Sequence, residues 1–219
     1  MKKQYFYLMP LLLAILTSCN RNNNFLVLGN FKDVIVASLE EALNMKGNSY
    51  FASENMQSGE LFKIVDSNAS YYENGKKHPF FAEVEKSKLI VINVGLYDVL
   101  PSMEINEEEN ILNYDNNLID KQLEVFSYHM HHIVEDIRSI NSKTSIFVLS
   151  SYNSFNFESP EEKMFNSIIK RINESILDSI EDVTNIKYIS IVDIKEQTKD
   201  NNSTIEEELV NVIRGHYNE

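Results

Sequence analysis

The chain carries few side chains able to do chemistry. It has five histidines, one cysteine and no tryptophan in 219 residues. Three histidines stand together in Tyr128-His129-Met130-His131-His132. On a helix, His129, His132 and Asp136 would share one outward face, a spacing that can ligate zinc. With no partner in view to orient the rings, a solvated face is the plainer expectation. His216, in Gly215-His216-Tyr217, would be a general base only if it reached the reacting atoms; as part of the terminal segment it is expected to be exposed. Ser150-Ser151 offers hydroxyls with no base motif beside them, so turn chemistry is the default. Glu107-Glu108-Glu109 and Glu206-Glu207-Glu208 read as solvated charge near helix starts. One cysteine leaves neither a disulfide framework nor a multi-cysteine metal site, and no cofactor is expected.

The elements that must position these groups follow from the pattern of apolar residues. Phe25-Leu26-Val27-Leu28, Lys88–Val94, Ser145–Ser150 and Lys187–Val192 are short apolar runs, with Ser49–Ala52 a weaker one. Their continuous hydrophobicity predicts strands buried on both faces, as in a parallel sheet. Between them, Ile119, Leu123, Phe126, Met130, Ile133, Ile137 and Ile140 recur at helical spacing, and so do Phe165, Ile168, Ile169, Ile172, Ile176 and Ile180. Shorter helices are predicted after Asn30, with Val34, Leu39, Ala42 and Leu43 inward, over Glu60–Val65, and from Thr204 to about Arg214. The order βαβαβαβαβα predicts a three-layer α/β/α sandwich on a five-stranded, mainly parallel sheet, with a flavodoxin-like strand order. Such sheets bind small molecules at the carboxyl ends of their strands. Those ends are Gly29–Phe31, Ser58–Gly59, Gly95–Asp98, Ser151–Asn153 and the loop 194–203. Pro101–Asn117 reads as a long polar excursion able to form a lid.

The net charge of −13 repels phosphate backbones, so nucleic acid is not an expected partner. It also disfavours electrostatic adhesion to anionic lipid, so membrane attachment must have another source. The N-terminus supplies one. Lys2 and Lys3 precede an apolar run from Tyr5 to Leu16, the pattern of a signal peptide. The run ends in Leu16-Thr17-Ser18-Cys19, which resembles the bacterial lipobox. That resemblance implies removal of residues 1–18 and lipidation of Cys19. Residues 19–24 then form a lipidated cysteine with a polar tether, and 25–219 a single domain on the outer face of a bacterial cell membrane. The chain's lone thiol sits at the one position the lipobox requires.

At the strand ends the sequence resembles the SGNH (GDSL-type) hydrolases, in particular lipoprotein members of Gram-positive type. The likeness runs from Phe25 almost to the C-terminus. Gly95-Leu96-Tyr97-Asp98-Val99-Leu100-Pro101 is similar to the family's Gly-x-Asn-Asp block, and Tyr114-Asp115-Asn116 and Ser151-Tyr152-Asn153 to later segments. The resemblance implies acyl transfer from esters. A serine attacks, a histidine in Asp-x-x-His takes its proton, and backbone N–H groups with an asparagine amide hold the oxyanion. On this sequence the nucleophile's position falls on Phe31, in Gly29-Asn30-Phe31. The second-block glycine falls on Gly59 and the asparagine on Tyr97, with Asp98 retained. Asp-x-x-His falls on Asp200-Asn201-Asn202-Ser203, with Ser203 in the base's place. Loss of nucleophile or base costs a triad on the order of 10⁶ in turnover. The expectation is therefore an inactive hydrolase-like protein that binds a small molecule or glycan at the strand ends. The alternative is an esterase of lipids or acylated glycans with a rearranged site. Phe31 and Tyr97 are expected to meet and narrow the cleft. Oligomeric state is not legible.

Overall fold

The computed structural model describes residues 23–201 and 203–218. The expected signal peptide, residues 1–18, and Cys19 lie outside them.

The chain runs through β1 (Asn24–Gly29), α1 (Asp33–Leu43), β2 (Phe51–Ala52), α2 (Ser58–Asp66) and a hairpin of β3 (Ser70–Glu73) and β4 (Lys76–Pro79). It continues through α3 (Phe80–Lys86), β5 (Ser87–Asn93), α4 (Leu96–Val99), and a second hairpin of β6 (Met103–Asn106) and β7 (Ile111–Tyr114). Then come α5 (Asn116–Ile140), β8 (Ser145–Leu149), α6 (Glu161–Ile180), β9 (Ile186–Ile189), α7 (Ile191–Asn201) and α8 (Ile205–Tyr217). Five strands form one parallel sheet in the order β2-β1-β5-β8-β9, the flavodoxin-like order expected.

Side chains alternate across these strands, so each strand feeds two cores. Leu26, Leu28, Ile90, Ile92, Ile146 and Val148 pack with Phe126, Met130, Phe165 and Ile172 from α5 and α6. Phe25, Val27, Leu89, Val91, Phe147 and Leu149 pack instead with Leu39 of α1, Ile194 of α7 and Leu209 and Ile213 of α8. Full burial of each such side chain stabilises the fold by about 1.5–3 kcal/mol. The predicted stripe of α5 is buried from Ile119 to Ile137, and the Asp115 carboxylate caps the helix by accepting from Asn117 N at 2.8 Å.

Several expectations need correction. Val34 is 62% exposed, and the inward residues of α1 are Val36 and Leu39, because Val34 sits two positions, or about 200°, around the helix from Val36. The last strand stops at Ile189; the Ser150 hydroxyl accepts Ile191 N at 2.7 Å and turns the chain into α7, so 194–201 is helix where a loop was expected. The excursion after β5 is an ordered hairpin tied to the β8–α6 connection. Asn110 Nδ2 donates to Glu161 at 2.7 Å, Glu158 N donates to Asn110 Oδ1 at 2.8 Å, and Asn156 N donates to Glu107 at 2.7 Å. Glu107 is thus a hydrogen-bond acceptor in a loop clasp, where solvated charge was expected.

Candidate functional site

The carboxyl ends of β1, β2 and β5 are fastened to one another by the residues that follow them. Gly29 has φ of +95°, and a Cβ there would lie 2.2 Å from Asn93 O, so only glycine fits. The turn it permits lets Asn30 N donate to Asn93 O and Asn93 Nδ2 donate to Asn30 O, both at 2.7 Å. Asn30 Oδ1 accepts from Asn55 N at 3.0 Å, and Gly29 O from Ser53 N at 3.0 Å. Asn30 is therefore occupied as a loop staple.

Phe31 follows directly and is only 5% exposed. Its ring belongs to the core on the α1 and α8 side of the sheet, with Val36, Leu39, Ile191, Ile194 and Leu209. It presents no nucleophilic atom and no opening. Tyr97 does not meet it: among the described residues no ring contact joins the two, and Tyr97 is half-buried. Tyr152 follows the end of β8. It packs against the Phe31 core, and its hydroxyl pKa is pushed up by burial and by the nearness of Glu206 and Tyr97. Phe31 turns instead into the α1–α8 layer.

Asp98 is not a partner of Tyr97 either. Its carboxylate reaches back to the start of α2, accepting Ser58 N at 2.9 and 3.1 Å and the Ser58 hydroxyl at 2.6 Å. Burial pushes its pKa up to about 6, against the opposing pull of the bonds from Ser58 and Gly95. The Ser58 hydroxyl also lies 3.1 Å from His129 Nδ1. His129 does not face outward with His132 and Asp136. Its ring stacks on Phe62 of α2 at 4.9 Å and covers Gly59, where an added Cβ would sit 3.2 Å from Cε1. Burial, with Lys63 and His132 nearby, lowers its pKa.

An acid, a hydroxyl and an imidazole thus meet at one point, but in an order unsuited to acyl transfer. In a working triad the imidazole takes the serine proton while the carboxylate holds the imidazole from behind. Here the carboxylate itself accepts from the serine, and Ser58 is fully buried. The cluster clamps the N-terminus of α2 to the end of β5. Sequence reasoning named Ser58, Asp98 and His129 separately; 71 residues separate Ser58 from His129, and no local motif joins them.

The remaining sites fall elsewhere. Asp200 lies in α7, its side chain outside the described set. Ser203 Oγ is buried without a hydrogen-bond partner, just ahead of the Thr204–Glu207 capping box that starts α8. His216 is held at the end of α8 with Nδ1 2.5 Å from Lys187 Nζ, beside the start of β9 and at the opposite end of the sheet from the strand carboxyl ends. It is half-buried there, not an exposed tail. The Ser150 hydroxyl is taken by Ile191 N, and the Ser151 backbone is held by α6: Asn173 Oδ1 accepts Ser151 N at 2.8 Å and its amide donates to Ser151 O at 3.0 Å. Among the described residues no group of three or more His, Cys, Asp or Glu is placed to hold a metal.

An open groove of about 810 Å³ lies past the ends of β8 and β9, between α6 and α7. Tyr152 and Phe155 give it an aromatic wall, and Asn153, Asn166, Asp193 and Lys195 a polar one. Lys195 Nζ donates to Asn153 O at 2.6 Å and stands 5.8 Å over the Tyr152 ring.

The same arrangement of sheet and helices recurs in solved structures. A lipase from a goat rumen metagenome matches with a TM-score of 0.56 at 20% identity, over 78% of this chain and 81% of its own. A protein described as a GDSL-like lipase, from Parabacteroides merdae, matches with a TM-score of 0.55 at 10% identity, over 82% of each chain. The chain has the SGNH hydrolase fold. An extracellular lipase from Streptomyces rimosus is similar as well, with a TM-score of 0.50 at 12% identity over 77% of this chain and 80% of its own. No protein-family model and no curated protein matches the sequence. At these identities the likeness is one of fold, on which the SGNH-type strand ends carry the side chains described above.

Proposed function

We propose that this protein is a lipid-anchored SGNH-fold lipoprotein of the bacterial cell surface that does not hydrolyse esters and acts by binding. The observation that carries this reading is Phe31. The resemblance puts it at the nucleophile's position, and it is sealed at 5% exposure among aliphatic side chains. The base's position holds Ser203, whose hydroxyl cannot take the nucleophile's proton at neutral pH, and the oxyanion amide's position holds Tyr97. Attachment rests on Cys19 and the lipobox pattern around it. The ligand is a small molecule or glycan received at the strand carboxyl ends, where the groove beside Tyr152 offers rings and amides together.

A second reading, an esterase with a rearranged site, is favoured only by the Ser58–His129 approach of 3.1 Å. The two are separated by incubating the purified protein with aryl acetates and longer acyl esters. The first reading expects no turnover above buffer. Turnover that disappears in Ser58→Ala would establish the second.

A further inference from the structure

For so acidic a protein, its lysines are unevenly placed. Six of them, Lys46, Lys76, Lys77, Lys86, Lys88 and Lys143, are exposed near the end of the molecule where the sheet strands begin. The register fixes that end. Asn24 of β1 pairs with Ser87 of β5 and bridges Lys46, and Leu89 of β5 pairs with Ser145 of β8. Lys46, Lys76 and Lys86 surround one cavity of about 250 Å³ together with Asn24. Lys86, Lys88 and Lys143 line the neighbouring one.

Three of the carboxylates close to this array are engaged, while Glu85, beside Lys86, Lys88 and Lys143, and Asp33, near Lys46, are exposed. Glu83 is buried and holds His78 and Lys86, each at 3.0 Å, and Asn48 Nδ2 at 3.0 Å. Glu73 accepts the Tyr50 hydroxyl at 2.7 Å and Glu40 accepts Gly47 N at 2.7 Å. Lys46, Lys76 and Lys143 make no ion pair among the described residues.

The β3–β4 hairpin adds a different chemistry along β3, where the Tyr71 ring stacks on Tyr50 at 4.7 Å and leaves one face outward. Tyr71 and Tyr72 are 43% and 64% exposed, and Tyr72 pairs across the hairpin with Lys77. Exposed tyrosines beside lysines suit the headgroup layer of a bilayer, where the ring finds a partly apolar medium and the ammonium finds phosphate.

The chain also enters the domain at this face. Asn23 accepts Lys46 N through its carbonyl and Lys88 Nζ through its side chain, and Cys19 stands four residues earlier. Four residues span at most about 14 Å when extended. We infer that this face, with Lys46, Lys76, Lys86, Lys88 and Lys143 and the Tyr71–Tyr72 hairpin, seats on the phosphates of an anionic phospholipid surface and fixes the domain's orientation there. The inference rests on the anchored reading above. Docked this way, the strand carboxyl ends and the groove beside Tyr152 point away from the membrane, toward ligands in the surrounding medium. The net negative charge, which opposes adhesion from solution, does not prevent seating once a covalent anchor holds the protein within a Debye length of the bilayer, about 8–10 Å at ordinary salt.

The test couples the full chain, made without cellular lipidation, through the thiol of Cys19 to maleimide-bearing vesicles. Lysine labelling by an amine-reactive reagent is then read residue by residue by mass spectrometry. On vesicles containing phosphatidylglycerol, labelling of Lys46, Lys76, Lys86, Lys88 and Lys143 should fall at least about threefold, while Lys121 and Lys163 stay unchanged. A Lys46→Glu/Lys76→Glu/Lys143→Glu variant should lose the protection at Lys86 and Lys88. Uniform labelling would overturn the inference. So would equal protection on pure phosphatidylcholine vesicles, which would mean crowding by the tether alone. So would equal protection by inorganic phosphate without vesicles, which would mean a site for soluble anions. Because the coupling is chemical, these results do not depend on whether cells lipidate Cys19. Incorporation of labelled palmitate in cells, lost in Cys19→Ala, tests that reading by itself.

Discussion

Substituting Asp98 by asparagine should change the pH dependence of stability in a way that the clamp at Ser58 dictates. The carboxyl is raised from its ordinary 3.8 to about 6, chiefly by burial. A carboxyl whose folded pKa is raised favours the fold when protonated. That stability is fully present below the unfolded pKa and is lost as pH rises through the folded one. The shift of roughly two units, at about 1.4 kcal/mol per unit, sets the full loss at about 3 kcal/mol, of which about 2.4 kcal/mol falls between pH 4 and pH 7. Asparagine keeps an oxygen that can accept from Ser58 N and from the Ser58 hydroxyl, and it never ionises. Urea unfolding of both proteins across this range isolates the group, because every other carboxylate cancels in the difference. The stability of Asp98→Asn minus that of the natural chain should rise by about 2.4 kcal/mol from pH 4 to pH 7.5. A difference that does not vary with pH would refute the reasoning. One that falls with pH would mean that the hydrogen bonds from Ser58 and Gly95 outweigh burial.

Phe31→Ser should cost about 3 kcal/mol by emptying a packed site, and should not create ester hydrolysis, because Ser203 cannot take the new hydroxyl's proton. Gly29→Ala should lose about 3 kcal/mol or more in urea unfolding, since positive φ is combined with a Cβ 2.2 Å from a backbone oxygen. Gly59→Ala should stay within about 1 kcal/mol of the natural protein. Its nearest obstacle is the His129 ring edge at 3.2 Å, and alanine gains helix propensity in α2.

Much of the architecture is legible in the sequence because buried parallel strands and long amphipathic helices write strong patterns. Phe25–Leu28, Lys88–Asn93 and the Ile/Leu stripes of α5 and α6 need no tertiary knowledge to be recognised. Even the two-residue β2 showed in Phe51-Ala52, where it pairs with Leu28 and Gly29. The β3–β4 hairpin was missed because Ser70–Glu73 and Lys76–Lys77 are polar and mostly exposed, although Asn74-Gly75 between the strands is a turn signal. α7 was missed because Ile191–Asn201 is mostly polar beyond Ile194, and the apolar run before it does not distinguish strand from helix. At the site, the glycines with positive φ were visible as motif glycines, and Phe31 was visible as the wrong residue for a nucleophile. The Ser58–Asp98–His129 clamp and the place of Tyr152 were not visible. Both depend on contacts between segments far apart in the chain, which only the packed sheet brings together.

We propose that the SGNH fold here carries no acyl-transfer machinery. The most direct test is a fluorophosphonate probe, applied to the folded protein alongside an assay for release of aryl alcohol from acetate and butyrate esters. The account predicts no labelled serine and no turnover above buffer. A single labelled serine, with turnover abolished when that serine becomes alanine, would contradict it.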